Sequence, residues 1–229
     1  MTGVERIERA LAPNGRPSIA AFLTAGYPTP PDFERHLRSV AASADVIEIG
    51  VPFSDPMADG VTIQRASRIA LEQGITLAKI FDTLARIDTN GMPVLLMSYV
   101  NPLLAMGAME IARRAIASNV SGFIVPDLPL EEQGFLAAAL EDVGLALIQL
   151  VTPATPDERA TSICQSARGF IYAVAVNGTT GGAVPNRDDA VIHLSRIQRS
   201  ARCPVLAGFG VRTAEDVKAL VAYTRTLKK

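Results

Sequence analysis

Two carboxylates in one short stretch are the first candidates for chemistry. Glu48 stands inside Asp45-Val46-Ile47-Glu48-Ile49-Gly50-Val51-Pro52, an apolar run of strand character. An ionisable side chain in a buried strand is costly unless it is used or paired. Burial would also raise its pKa toward the neutral range that a proton shuttle needs. A core glutamate bonded to a neighbouring tyrosine or serine would give the same sequence. Asp59 follows in Pro52-Phe53-Ser54-Asp55-Pro56-Met57-Ala58-Asp59-Gly60. By spacing alone, Asp55 and Asp59 read equally well as turn residues or as the cap of the next helix. Asp127, in Val125-Pro126-Asp127-Leu128-Pro129, could touch a substrate or hold a turn between its two prolines.

Other chemistries are short of residues. The two histidines, His36 and His193, both fall within helical patterns, which makes a histidine metal centre improbable. Both read as helix-surface or partly buried residues. None of the four lysines, Lys79, Lys218, Lys228 and Lys229, falls on a strand, where a Schiff-base lysine would have to sit. There is no GxSxG elbow and no GxxxxGK[ST] loop. Cys164 and Cys203 lack CxxC spacing and read as reduced thiols. Carboxylates remain as the acid/base groups, with no metal.

Two glycine-rich segments offer an anion site. Asn177-Gly178-Thr179-Thr180-Gly181-Gly182 and Gly208-Phe209-Gly210 each follow a strand-like run, and the second leads into a helical pattern near Thr213. Glycine lets backbone amides approach a phosphate closely, and a helix N-terminus favours the charge. Plain turns would carry the same residues.

Positioning these groups requires a repeating scaffold. Strand-like runs at Ser18–Thr24, Val46–Gly50, Val94–Tyr99, Gly122–Val125, Leu145–Val151, Phe170–Ala175 and Val205–Ala207 alternate with helical patterns. The helices are expected at Asp32–Ala42, Thr62–Gln73, Leu77–Asp88, Met109–Ser118, Leu130–Val143, Pro156–Ala167, Asp188–Ser200 and Thr213 to about Leu227. Strands apolar on both faces suit a parallel sheet covered by helices. A doubly wound sheet and a TIM barrel both fit seven βα units. The barrel is favoured because no GxGxxG follows the first strand, and polar or glycine-rich loops recur after many strands. A single α/β domain spanning 1–229 is expected.

Together these segments resemble the tryptophan synthase alpha family over about residues 18–220. The most specific stretch is Glu48 to Gly60, continuing through Ile63-Gln64-Arg65-Ala66. Phe22-Leu23-Thr24-Ala25-Gly26-Tyr27-Pro28, Met97-Ser98-Tyr99-Val100-Asn101-Pro102, Val125 to Pro129 and Gly208-Phe209-Gly210 also match. The resemblance implies a (β/α)8 TIM barrel and a lyase that splits indole-3-glycerol phosphate into indole and glyceraldehyde 3-phosphate. It implies that Glu48 is the acid/base and that Asp59 binds the indole N–H. Phe22, Leu96, Ile124 and Tyr172 would line the indole pocket. Thr180 would lie in a closing loop, and Gly181, Gly208, Phe209 and Gly210 would surround the phosphate.

It further implies a beta subunit as partner, in an alpha2beta2 heterotetramer, with Asp55, Asn101 and Pro129 facing it. Pyridoxal phosphate would be needed only by that partner, and no cofactor by this chain. The family continues past the seventh helix into an eighth strand and a short phosphate-binding helix. Tyr223–Lys229 carries no strand signal, so the barrel is expected to lack its eighth strand and final helix. That departure keeps open a silent subunit that only binds and modulates beta. An epimerase-like barrel enzyme is disfavoured by the absence of strand-end histidines.

The bulk numbers agree with this frame. The chain has 229 residues, 48% of them hydrophobic, with a formal net charge of −1. There is no basic surplus for nucleic acid or an acidic membrane surface. No apolar run approaches the roughly 20 residues of a membrane span. Met1–Leu11 is charged and amphipathic, unlike a secretory signal, so a cytoplasmic location is expected.

Overall fold

A computed structural model describes residues 1–174 and 187–208. Its framework is a seven-stranded parallel sheet in chain order: β1 (Ala20–Thr24), β2 (Val46–Gly50), β3 (Val94–Met97), β4 (Val120–Ile124), β5 (Ala146–Val151), β6 (Ile171–Val174) and β7 (Val205–Gly208). All six neighbouring pairs are parallel. The sequential order and the intervening helices are those of a TIM-barrel wall. The expected seventh helix, and the ground on which an eighth strand was in question, lie outside the described residues.

The helices are α1 (Gly3–Ala10), α2 (Pro30–Ala41), α3 (Val61–Glu72), α4 (Leu77–Leu84), α5 (Val100–Met106), α6 (Ala108–Ala117), α7 (Gly134–Glu141), α8 (Asp157–Ser166) and α9 (Arg187–Ser200). Their starts follow local chemistry. Thr29 accepts from the Asp32 N–H ahead of Pro30-Pro31, and Thr76 accepts from the Lys79 N–H. The segment expected to continue the third strand to Tyr99 turns instead into α5. Asp127, distant in sequence, caps that helix: both its carboxylate oxygens accept from the Val100 N–H, at 3.0 and 3.2 Å.

Side chains alternate across each strand and build two cores. The outer core packs Ile47, Ile49, Val94, Leu96 and Phe123 against Leu37, Phe81, Leu103 and Ile111 of the helices. The inner core joins Val46, Leu95, Ile124, Ala146, Ile148, Phe170 and Tyr172 from five strands and their approaches. Ile7 and Leu11, from α1 and its C-cap, belong to this inner core and fill it from the end where the strands begin. A capping box between Thr2 and Glu5 starts α1. Arg6 then fastens it to the start of β4: Nε donates to Ser121 Oγ at 3.1 Å and Nη2 to the Val120 carbonyl at 3.1 Å.

The helix α1 therefore acts as a plug. Ile7 is fully buried in the inner core, so Ile7→Ala is expected to cost about 2–5 kcal/mol. Urea unfolding should show a lower midpoint at unchanged slope. A midpoint unchanged within error would mean that α1 is only loosely seated.

Candidate active site

Glu48 lies in the middle of β2, in register with Phe22 of β1 and Leu95 of β3. Its neighbours Ile47 and Ile49 face the outer core, so alternation turns Glu48 into the barrel interior. It is 4% exposed. Burial among apolar side chains pushes its carboxyl from 4.5 up to about 7. The Tyr172 hydroxyl lies close enough for the Glu48 charge to raise the phenol further above its ordinary value, after burial as the main cause.

Glycines shape the aromatic walls. A Cβ on Gly50 would stand 2.5 Å from the Phe22 ring, and one on Gly208 would stand 2.2 Å from the Tyr172 ring. Each ring lies across a glycine and could not do so over any other residue.

Asp59 sits on the loop between β2 and α3. Together with Phe22, Thr24, Gly50, Ile63, Ser67, Met97, Ser98 and Tyr99 it borders a cavity at the C-terminal ends of β1, β2 and β3, where barrel enzymes hold their sites. The free space is about 20 Å³, room for one water. Burial raises the Asp59 pKa, opposed by the Tyr99 hydroxyl, which donates to Oδ2 at 3.1 Å. The loop closes on itself through the Asp59 N–H to the Pro56 carbonyl (3.1 Å), and Gln64 Nε2 donates to the Asp59 carbonyl at 2.9 Å.

The described site residues fall in two groups, linked by Phe22, which is in register with Glu48. Phe22 and Asp59 border the cavity, and Ile124 and Tyr172 lie with Glu48 in the interior. Leu96 is the exception and is corrected: it is fully buried in the outer core with Leu103 and Ile111. Met97, one residue on, borders the cavity in its place. A one-residue step in a strand reverses the face. Gly208 ends β7 beside Val174 of β6. Thr180, Gly181, Phe209 and Gly210 lie outside the described residues.

Asp55 and Pro129, on loops, and Asn101, in the first turn of α5, are all exposed in segments that follow the C-terminal ends of β2, β4 and β3. His193, expected at the surface or partly buried, is only 5% exposed on the inner side of α9, with Nδ1 3.4 Å from Arg196 Nη2. No helix among the described residues is long and apolar enough to cross a membrane. The sequence motifs include Tyr99, Met97 and Gly50 but give none of them a task. Strict alternation counted forward from Glu48 would have found Gly50.

The comparisons with known proteins agree with the geometry. Residues 9–226 match the family model described as tryptophan synthase alpha chain. The chain is 41% identical over 221 residues to the tryptophan synthase alpha chain of Bacillus cereus, covering 96% of this chain and 85% of that one. It is 40% identical over 221 residues to that of Bacillus anthracis, with the same coverage. Among solved structures, Mycobacterium tuberculosis tryptophan synthase superposes with a TM-score of 0.88 at 31% identity, over 97% of this chain and 86% of that one. A tryptophan synthase complex from Pyrococcus furiosus gives 0.79 at 33%, over 90% and 83%.

The raised Glu48 pKa has a consequence for stability. Between 4.5 and about 7 the folded state keeps a proton that the unfolded state releases, so stability falls as pH rises through that window. Glu48→Gln removes this cost. The variant is expected to gain on the parent progressively above pH 4.5, reaching roughly 3 kcal/mol above pH 7. Denaturant titrations across pH check it, and a pH-independent difference would contradict it.

Proposed function

This chain belongs to the tryptophan synthase alpha chain family, and we propose that Glu48 and Asp59 carry its reaction. That reaction is the lyase cleavage of indole-3-glycerol phosphate to indole and glyceraldehyde 3-phosphate, and its partner is the beta subunit. The observation that supports the assignment is Glu48 itself: a buried carboxyl inside the barrel with a pKa near neutrality.

Such a group both gives and takes a proton at working pH. In its neutral form Glu48 protonates indole C3, which makes that carbon tetrahedral and places positive charge on the ring nitrogen. As carboxylate it then removes the proton from the hydroxyl on the adjoining side-chain carbon. The C–O bond becomes a carbonyl, the carbon–carbon bond to C3 breaks, and its electron pair restores the aromatic ring. One proton is given and one taken back, so Glu48 returns to its starting state.

Asp59, ionised and held by its loop, lies against the ring N–H and stabilises the charge that develops there. The ring enters between Phe22, Ile124 and Tyr172. Its space exceeds the free volume of the cavity, and rotation of the flexible Met97 side chain widens it. The backbone of Gly208 lies beside the Tyr172 ring, and the phosphate is assigned to Gly208, Phe209, Gly210, Thr180 and Gly181 by the family resemblance. This chemistry proceeds by proton transfer and fixed charge, so the chain needs no cofactor of its own, and pyridoxal phosphate belongs to beta.

The beta subunit docks over the segments after β2, β3 and β4, where Asp55, Asn101 of α5 and Pro129 are exposed. The assembly is alpha2beta2 and cytoplasmic.

Indole release from indole-3-glycerol phosphate, with beta present, tests the assignment. Glu48→Gln and Asp59→Asn are each expected to lower kcat by roughly a hundredfold or more. Retained turnover in folded Glu48→Gln would remove Glu48 from the mechanism.

A further inference from the structure

Tyr99 occupies the polar side of the cavity and has no task in the mechanism above. It follows β3, is 6% exposed, and stacks its ring on Phe53 with centroids 5.1 Å apart and planes 26° apart. Its backbone surroundings are fixed: the Ser98 N–H donates to the Ile124 carbonyl at 3.0 Å, and the Val51 N–H to the Met97 carbonyl at 2.8 Å. The hydroxyl therefore projects from a rigid strand end, whereas Asp59 belongs to a loop of prolines and glycine.

A phenol has one hydrogen to give and lone pairs to receive. The Ala58 N–H donates to the Tyr99 oxygen at 2.9 Å. The hydrogen is then directed at Asp59 Oδ2, 3.1 Å away. Two consecutive loop residues thus close on one hydroxyl, and the order of donors is set by the backbone amide. An ionised Asp59 oxygen accepts that hydrogen more strongly than the carbonyl oxygen of a protonated Asp59 would.

We propose that Tyr99 is a positioning residue of the lyase: its hydroxyl aims one Asp59 oxygen into the cavity and holds that carboxyl ionised for the indole N–H. The inference rests on the assignment of Asp59 to the ring nitrogen. Burial of Asp59 favours its neutral form, and the Tyr99 hydrogen bond is the effect that opposes it. Tyr99 does not lose its own proton, because burial chiefly, with Asp59 and Asp127, raises the phenol well above its ordinary value. Asp127, from the loop after β4, is the other charged group facing Tyr99, and the Val100 N–H engages its carboxylate. Phe22, Thr24, Ser67 and Pro126, on the remaining walls, carry no charge.

The test is the pH dependence of indole release by the complex with beta, for Tyr99→Phe, Phe53→Leu and Asp59→Asn. Tyr99→Phe keeps the stacked ring and loses only the hydroxyl. Its kcat/KM is expected to fall about tenfold at pH 7, the size of one good hydrogen bond to a charge. The acidic limb of its profile should move up by about one pH unit, since Asp59 then holds its proton longer. Phe53→Leu weakens the stack and should lower Tm without moving that limb. A limb unmoved in Tyr99→Phe, with Asp59→Asn inactive, overturns the role of Tyr99 and leaves that of Asp59 standing. Full turnover by Asp59→Asn overturns both.

Discussion

A carboxyl group inside a dry barrel must be neutral, be paired, or cost stability, and the site is arranged around that choice at Glu48. Among the described residues no cation stands against it. Apolar walls surround it, and the group answers by holding its proton to about pH 7. A cation beside Glu48 would lower its pKa and leave a poor acid. An open mouth would do the same by solvation. The helix α1 closing one end of the interior and the rings of Phe22 and Tyr172 laid across glycines both keep water from this carboxyl. The packing that stabilises the sheet is thus the condition for the chemistry.

At the second carboxylate a hydrogen bond works against the effect of burial, whereas at Glu48 burial is the one cause of the shift. Asp59 is half-buried on a loop, and a strand-end tyrosine gives it a hydrogen bond that favours the charge. Burial raises the pKa of both acids, one in β2 and one on the loop after it, but only at Asp59 does a hydrogen bond, from Tyr99, oppose that rise. In the proposed mechanism Glu48 is the proton donor and Asp59 the fixed anion that serve one substrate at one pH. Both environments depend on the C-terminal ends of β1 to β3, the part of the framework best tied together by register and by the loop bonds to Ala58 and Asp59.

Much of this was legible in the sequence. Glu48 stood out because an acid interrupts an apolar strand, and the strand order followed from the repeated βα pattern. The face of each residue in β3 was not legible. Val94-Leu95-Leu96-Met97 is apolar throughout, since both faces are buried, and the contrast that fixes register is missing. The strand pattern therefore offered no check on Leu96, which the family resemblance places in the pocket, whereas Leu95 and Met97 are the inward residues. The short helix α5 was also hidden, because its cap comes from Asp127 in the next loop. The bond between Tyr99 and Asp59 joins residues 40 positions apart and has no local signature.

The central claim is that Glu48 titrates near neutrality because the barrel interior is dry. Carbon-13 NMR of glutamate side-chain carboxyls, comparing the labelled chain with its Glu48→Gln variant, isolates that one group. The account predicts a resonance present only in the parent, with a midpoint of about 7. A midpoint below 5, in the ordinary carboxylate range, would mean that water or a cation reaches Glu48 and would contradict its service as the acid.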